Sequence, residues 1–459
     1  MKEMKYFVLV IILCTLFSCC TKINSESENI DPNQPQQQNQ TVKKEDVLYI
    51  YYDETEITIN MNLLLKHFRD KYPDIIVEQY KSTATEGFTP GQGEDMRLQV
   101  ELMSGKGPDI IIEPDWFTNI YKAMDAGVFL DLTDIFEETE VKKDEYNQAV
   151  LFSGNYKDKL YVIPLAYTQS MIVTFEDILS KFGFTEQNMD NLEGMLEVFE
   201  TIQKSGTRLF AHDDYENIFK FLVGSSFPDA FDYESSKLHI DNDMFRKLME
   251  ILREEYVLSD KRDNQYTIEG YKGEDLSKNI AEGQAAFMLT YSLASHYIRT
   301  TALSQYGSVI VMPIPGYEGD ISAFAGCSAA VYSGMQFQDE AREIIKILLD
   351  DNFQSYLASS RPSIPIRNKY AKSQLESWTK KTQKDIKQGA YPEIDNETIV
   401  PEDIPDIIEY NTYSVTNTVL NINDYINLYD YFESYIKGEK SYEVCLAEAE
   451  NYYRIYLSE

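Results

Sequence analysis

Asp115 and Trp116 are the side chains whose type and placement point most directly to chemistry. They follow Asp109 to Ile112, a short β-branched run led in by Gly107 and Pro108, whose uniform apolarity fits a strand buried on both faces of a parallel sheet. Pro114 stops that run. Asp115 can accept from the free N–H groups of the next turn, and Phe117, Ile120, Tyr121 and Met124 then recur at helical spacing until Gly127 caps the helix. The pair therefore belongs at the carboxyl end of a strand, where the diverging loops of open α/β sheets leave a crevice for ligands. A carboxylate beside an indole suits a polar ligand with one apolar face, such as a sugar ring.

Other aromatic residues fall at expected strand ends and crossing segments: Tyr52, Tyr167, Tyr291 and Phe324. Each offers a ring face to a ligand or packs in a core, and the sequence leaves that choice open. Catalytic signatures are missing. No GxSxG, HExxH, GxxxxGKS/T or GxGxxG occurs, and His67, His212, His239 and His296 are scattered. Carboxylate pairs such as Asp213-Asp214 and Glu137-Glu138 are ordinary in so acidic a chain, and solvated surface accounts for them. Nothing in these residues points to catalysis, to a metal site or to a cofactor.

The elements that would hold these residues read as a layered α/β chain. Val47 to Tyr52 and Asp74 to Tyr80 are strands around a helix at Ile57 to Tyr72, which implies a parallel crossover. Thr83 to Gly93 is a loop, and Glu94 to Ser104 a helix with Met96, Val100 and Met103 as its apolar stripe. Leu160 to Phe175 holds two apolar runs, broken at Pro164 and separated by a polar centre. We read it as a strand that leaves one lobe, bends, and enters a second. Helices at Glu176 to Phe182, Leu192 to Lys204 and Asp243 to Leu252 follow, then strands at the end of Glu282 to Tyr291 and at Val309 to Gly316. Gly326 to Ser333 returns the chain to the first lobe, Gln338 to Ala358 is helix-rich, and Arg361 to Arg367 is a further extended crossing. The tail from Ile407 to Leu457 ends on two helices.

The 459 residues are enough for two or three domains, and the net charge of −34 disfavours nucleic acid and anionic surfaces as partners. Lys2 and Lys5, an apolar run from Tyr6 to Phe17, and Leu16-Phe17-Ser18-Cys19 form an export address. The last four residues resemble the bacterial lipobox, which makes Cys19 the expected lipid attachment point. Cys20 and an ordinary secretory signal are the alternatives. Residues 19–46 include QPQQQNQ and read as a disordered tether. Cys327 and Cys445 are far apart, either paired in a disulfide or two buried thiols.

Taken in order, the lipobox and tether, KHFRDKYPDIIVEQ, MSGKGPDIIIEPDWFTNIYKAMDAGVFLDLT, YVIPLAYTQSMIVTF, EGQAAFMLTYS, VMPIPG and REIIKILLDDNFQSYL resemble the extracellular solute-binding proteins of ABC importers. The similarity is to the sugar-binding group that includes the maltose-type proteins. It implies a two-lobe periplasmic-binding-protein fold of type II kind, each lobe a sheet flanked by helices, joined by hinge crossings. The implied lobes are 47–165 with 326–360, and 166–325 with 361–459, after a signal peptide at 1–18. It further implies a lipid-anchored monomer outside the cytoplasm that captures a carbohydrate and delivers it to ABC permease subunits. Carried over by position, the ligand residues are Asp115, Trp116, Tyr167, Tyr291, Ser292, Tyr52 and Asp53. Phe324 joins them from the aromatic set above, and Trp378 is a candidate for the family's C-terminal aromatic. A ligand sensor feeding a membrane receptor, or an importer component for a peptide or polyamine, is the alternative use of the same fold.

Overall fold

The computed structural model describes residues 47–52, 61–80, 94–112, 120–137, 142–211, 214–260, 273–391 and 394–458. The apolar runs at its start form three parallel strands, β1 (Val47–Tyr51), β2 (Ile76–Gln79) and β3 (Ile110–Ile112). The helices Met61–Lys71 and Glu94–Met103 lie in the connections that parallel pairing demands. The second of these buries a different face from the expected one. Leu98 and Leu102, one turn apart, are enclosed with Ile111 and Ile120, whereas Val100 is 65% and Met103 74% exposed. Apolar residues occupy two faces of this helix, and the sheet takes the face with the paired leucines.

The remaining strands are β4 (Asn155–Tyr156), β5 (Lys159–Leu160), β6 (Val162–Gln169), β7 (Met171–Phe175), β8 (Arg208–Phe210), β9 (Phe231–Asp232), β10 (Lys237–Leu238), β11 (Ala285–Thr290), β12 (Val309–Pro313), β13 (Ser322–Val331), β14 (Ile364–Pro365) and β15 (Asn417–Val419). One sheet has the order β14-β6-β13-β3-β1-β2, with β15 also paired to β13, and the other has the order β12-β7-β11-β8. β6 and β7 are separated only by Ser170, yet they belong to different sheets. The bend therefore falls in the polar centre of that segment. Pro164 does not break β6 but lies opposite Ser328, beside a slip in register that accommodates a residue with no N–H to give.

Each sheet has its own core. Leu48, Ile50, Phe68, Ile163 and Leu165 pack with the helices Gln338–Leu349 and Asp351–Ser360 against the first sheet. In the second sheet the side chains alternate, as a strand's two-residue period requires. Ile172, Phe287 and Leu289 enter a core shared with helices Leu192–Lys204, Tyr215–Ser226, Asp243–Asp260, Asn423–Ile436 and Tyr442–Tyr456. Met171, Val173 and Met288 enter another, shared with helices Leu293–Ser304, Asn368–Lys387 and Ile404–Tyr413. Each fully buried phenylalanine, Phe199, Phe210, Phe219 and Phe245 among them, contributes on the order of 2–3 kcal/mol by leaving water.

Glu255 fixes the edge strand β8. Fully buried, it accepts from the Leu209 N–H (2.7 Å), the Phe210 N–H (3.1 Å) and Gln203 Nε2 (3.3 Å), with Arg208 Nε at 3.4 Å. Cys327 and Cys445 are free, buried thiols that belong to separate cores, which decides against a disulfide. Trp378 is half-buried in the core around Met171 and Val173, with Lys381 Nζ 4.7 Å from its ring centre.

Candidate functional site

The site grows from the ends of strands. β1 stops at Tyr51, so Tyr52 is the first residue beyond the sheet; it is half-buried and packs against the first core. Asp53, Asp115 and Trp116 lie outside the described residues. On the second sheet, β11 stops at Thr290 and hands the chain to Tyr291 and Ser292. Ser292 caps the helix Leu293–Ser304: its hydroxyl accepts from the Ser295 N–H at 3.3 Å, and Ser295 Oγ accepts from the Ser292 N–H at 3.0 Å. The Leu293 N–H donates to Pro362 O at 3.0 Å, which ties this corner to the crossing that leads into β14.

Tyr291 is 45% exposed and lies parallel to Phe221, with ring centres 4.7 Å apart and 7° between planes. Phe324, from β13, meets Phe221 edge-on at 5.5 Å. Three segments thus build one aromatic platform: the end of β11, the helix Tyr215–Ser226, and a strand of the other sheet. Phe324 is only 2% exposed, so it supports the platform from below. Its ring also leaves no room at Gly224, where a Cβ would stand 2.8 Å from Phe324 Cε1. Tyr167 is 1% exposed, in the first core, with its hydroxyl near Thr412 O (3.4 Å) and Asn147 Nδ2 (3.5 Å). In this arrangement it offers no surface to a ligand. Lys220 Nζ lies 5.2 Å from the Phe221 ring centre, and burial holds its pKa below the usual lysine range.

A second aromatic group joins the two sheets' layers elsewhere. Tyr121, from the helix Ile120–Asp125, stacks on Tyr233 with centres 3.8 Å apart and meets Tyr156 edge-on at 5.7 Å. The Tyr233 hydroxyl donates to Asp424, which also accepts from the Tyr456 hydroxyl at 2.9 Å. Asp424 is buried, and desolvation pushes its pKa up to about 6 against the pull of the two hydroxyls. His296 is buried as well, pushed down to about 3 by desolvation, with Nδ1 2.7 Å from Thr290 Oγ1. It is a neutral strut at the end of β11. Among the described residues no set of three histidine, cysteine or carboxylate groups could hold a metal ion, and no helix is long and apolar enough to cross a membrane.

Sequence reading misses Phe221, Lys220, Tyr233 and Asp424. The helix Tyr215–Ser226 carries apolar residues nearly all round, and nothing in that pattern singles out Phe221 from Phe219 or Leu222.

Two α/β layers with aromatic strand ends, the chain passing between them more than once, define a two-lobe binding protein. Solved structures share this fold. The sugar-binding protein MalE from the phytopathogen Xanthomonas citri superposes with a TM-score of 0.58 at 14% identity, covering 90% of this chain and 97% of that one. UspC from M. tuberculosis gives 0.55 at 15% identity, covering 89% and 100%. The cyclic alpha-maltosyl-1,6-maltose binding protein from Arthrobacter globiformis gives 0.51 at 13%, covering 90% and 98%. No curated protein matches by sequence. The profile described as bacterial extracellular solute-binding protein matches residues 85–384, and the chain belongs to that family. It is therefore a binding protein that works outside the cytoplasm, and not an enzyme.

Proposed function

We propose that this protein is the lipid-anchored component of an ABC importer, attached through Cys19, that holds a sugar or oligosaccharide between two closing lobes and delivers it to a membrane permease. The observation that carries the carbohydrate reading is the Tyr291 ring, 45% exposed and backed by Phe221, at the carboxyl end of β11. A ring so supported is held flat without cost to the ligand, and its free face offers the dispersion and CH–π contacts that a pyranose needs. Asp115, Trp116, Tyr52 and Asp53 are the ligand residues expected of the first lobe, and Ser292 follows Tyr291 in the second. In this reading the lobes divide close to the expected 165/166, 325/326 and 360/361, moved to the ends of the strands concerned: the first to Ser170, after β6, and the second to the start of β13. A ligand that binds the closed form better than the open one shifts the balance between them, and the permease reads that shift.

The test is thermal unfolding of the chain from Thr21 onward against mono- and oligosaccharides, with Tyr291→Ala and Trp116→Ala alongside. A sugar at about one hundred times its dissociation constant adds roughly 2.7 kcal/mol to the wild type. Loss of that shift in both variants supports the site. A shift produced by peptides or polyamines and by no sugar refutes the carbohydrate assignment.

A further inference from the structure

Lys220 is an anomaly in a chain with 76 acidic and 42 basic residues. Lysines elsewhere find carboxylates: Lys71 with Glu343, Lys204 with Glu200, Lys372 with Glu409, Lys381 with Asp385, Lys437 with Glu433. Lys220 is half-buried, yet no described carboxylate lies within ion-pair distance of it. The Asp214 carboxylate is committed to the cap of its own helix, taking the Asn217 N–H at 3.1 Å and the Asn217 side-chain amide. Glu216, one turn earlier, is exposed; it and Asp214 favour the charged ammonium from a distance, without an ion-pair contact, and burial outweighs them. What the ammonium does have is the Phe221 ring at 5.2 Å, and a cation over a phenylalanine recovers only part of the hydration that burial removes. That same ring carries Tyr291. The cation, without a contact ion pair among the described residues, therefore stands beside the Phe221 ring on which Tyr291 lies.

We infer that the solute held at the Tyr291 face carries a carboxylate and that Lys220 recognises it, so that an acidic sugar, of the uronic acid class, is preferred over its neutral counterpart. The inference rests on the carbohydrate reading above. A ligand carboxylate supplies the contact partner that no described side chain provides, in a place where low local dielectric strengthens the bond. The large negative charge of the whole chain does not oppose this at short range, because screening confines the distant carboxylates' influence to about a Debye length, near 8 Å at physiological salt.

The experiment compares matched oligosaccharides, one series neutral and one built of uronic acids, by calorimetry on the chain from Thr21 onward. Wild type, Lys220→Met, Lys220→Arg and Tyr291→Ala are run in parallel, each first checked for an unchanged unliganded melting temperature. Expected is tighter binding of the acidic series, a loss of roughly 10- to 100-fold for that series alone in Lys220→Met, and retention in Lys220→Arg. Tyr291→Ala weakens both series. If the neutral series binds as well as or better than the acidic one, or Lys220→Met leaves acidic-sugar affinity unchanged, the inference is overturned while the carbohydrate reading stands. If neither series binds and another solute class does, the carbohydrate reading falls, and this inference with it.

Discussion

Replacing Asp424 with asparagine should stabilise the protein at neutral and alkaline pH and change little in mild acid. Asp424 lies in the first turn of the helix Asn423–Ile436, buried, with the Tyr233 and Tyr456 hydroxyls as donors to its carboxyl group. Desolvation is the dominant cause of its shift, the hydroxyls restrain it, and the result is a pKa of about 6 against 3.8 for the free side chain. A folded-state value above the unfolded one means that the native protein holds this proton more tightly. The stabilisation is complete below about pH 4 and is lost as pH rises through 6. The difference between 3.8 and about 6 corresponds to about 3 kcal/mol. Asparagine is neutral throughout, can still accept from a tyrosine hydroxyl, and escapes that loss. Urea midpoints measured for both proteins from pH 4.5 to 8 should diverge progressively up to pH 7 and then run parallel, with the variant more stable. Titration of every other group cancels in the difference. A constant offset across the whole range, or a wild type that is the more stable at pH 8, would show that the ionised carboxylate is tolerated there without cost, and would refute the reasoning.

Glu255→Ala strands two backbone N–H groups of β8 and removes the buried carboxylate beside Arg208, so it should cost about 3–5 kcal/mol in urea denaturation. Tyr121→Ala and Tyr233→Ala, singly and together, should show a coupling of about 0.5–1.5 kcal/mol in a double-mutant cycle, and strict additivity would mean that the stack contributes nothing. Cys327 and Cys445 should react with a thiol reagent only after unfolding, and at equal rates with and without reductant beforehand, since both are buried and free.

Much of the architecture was legible because strands buried on both faces are written as uninterrupted apolar runs. Ile110–Ile112, Met171–Phe175 and Ala285–Thr290 are of this kind, and all three are wholly buried. Helix Leu192–Lys204, with a clear stripe and Gly206 beyond it at φ +82, fell where its pattern put it. The helix Asn368–Lys387 did not show, since six lysines and a sparse apolar set obscure its buried face, Ala371, Leu375, Thr382 and Ile386. Helix Leu293–Ser304 was hidden by Thr300 and Thr301, β-branched residues that weaken helical propensity and are here fully buried. For the candidate site, position after a strand points to Tyr291 and Ser292. It does not distinguish an exposed ring from an enclosed one, so Tyr167 and Phe324 stand beside Tyr291 in the sequence although they are enclosed. Exposure depends on what packs across the layer, and residues far apart in sequence decide that: Thr412 lies over Tyr167, and Phe221 over Phe324.

The way the chain is threaded bears on how it leaves the cell that makes it. β1 to β3 are synthesised first, but the strand that pairs with β3 is β13, some two hundred residues later, and β14 and β15 arrive later still. The core around Phe219 and Phe245 likewise waits for Tyr425, Phe432 and Tyr453 from the last two helices. Neither half can finish folding on a partly made chain, and contacts of such wide separation form slowly. A chain of this design completes its lobes only once its C-terminal helices are available, a delay that suits a protein whose work lies outside the cytoplasm.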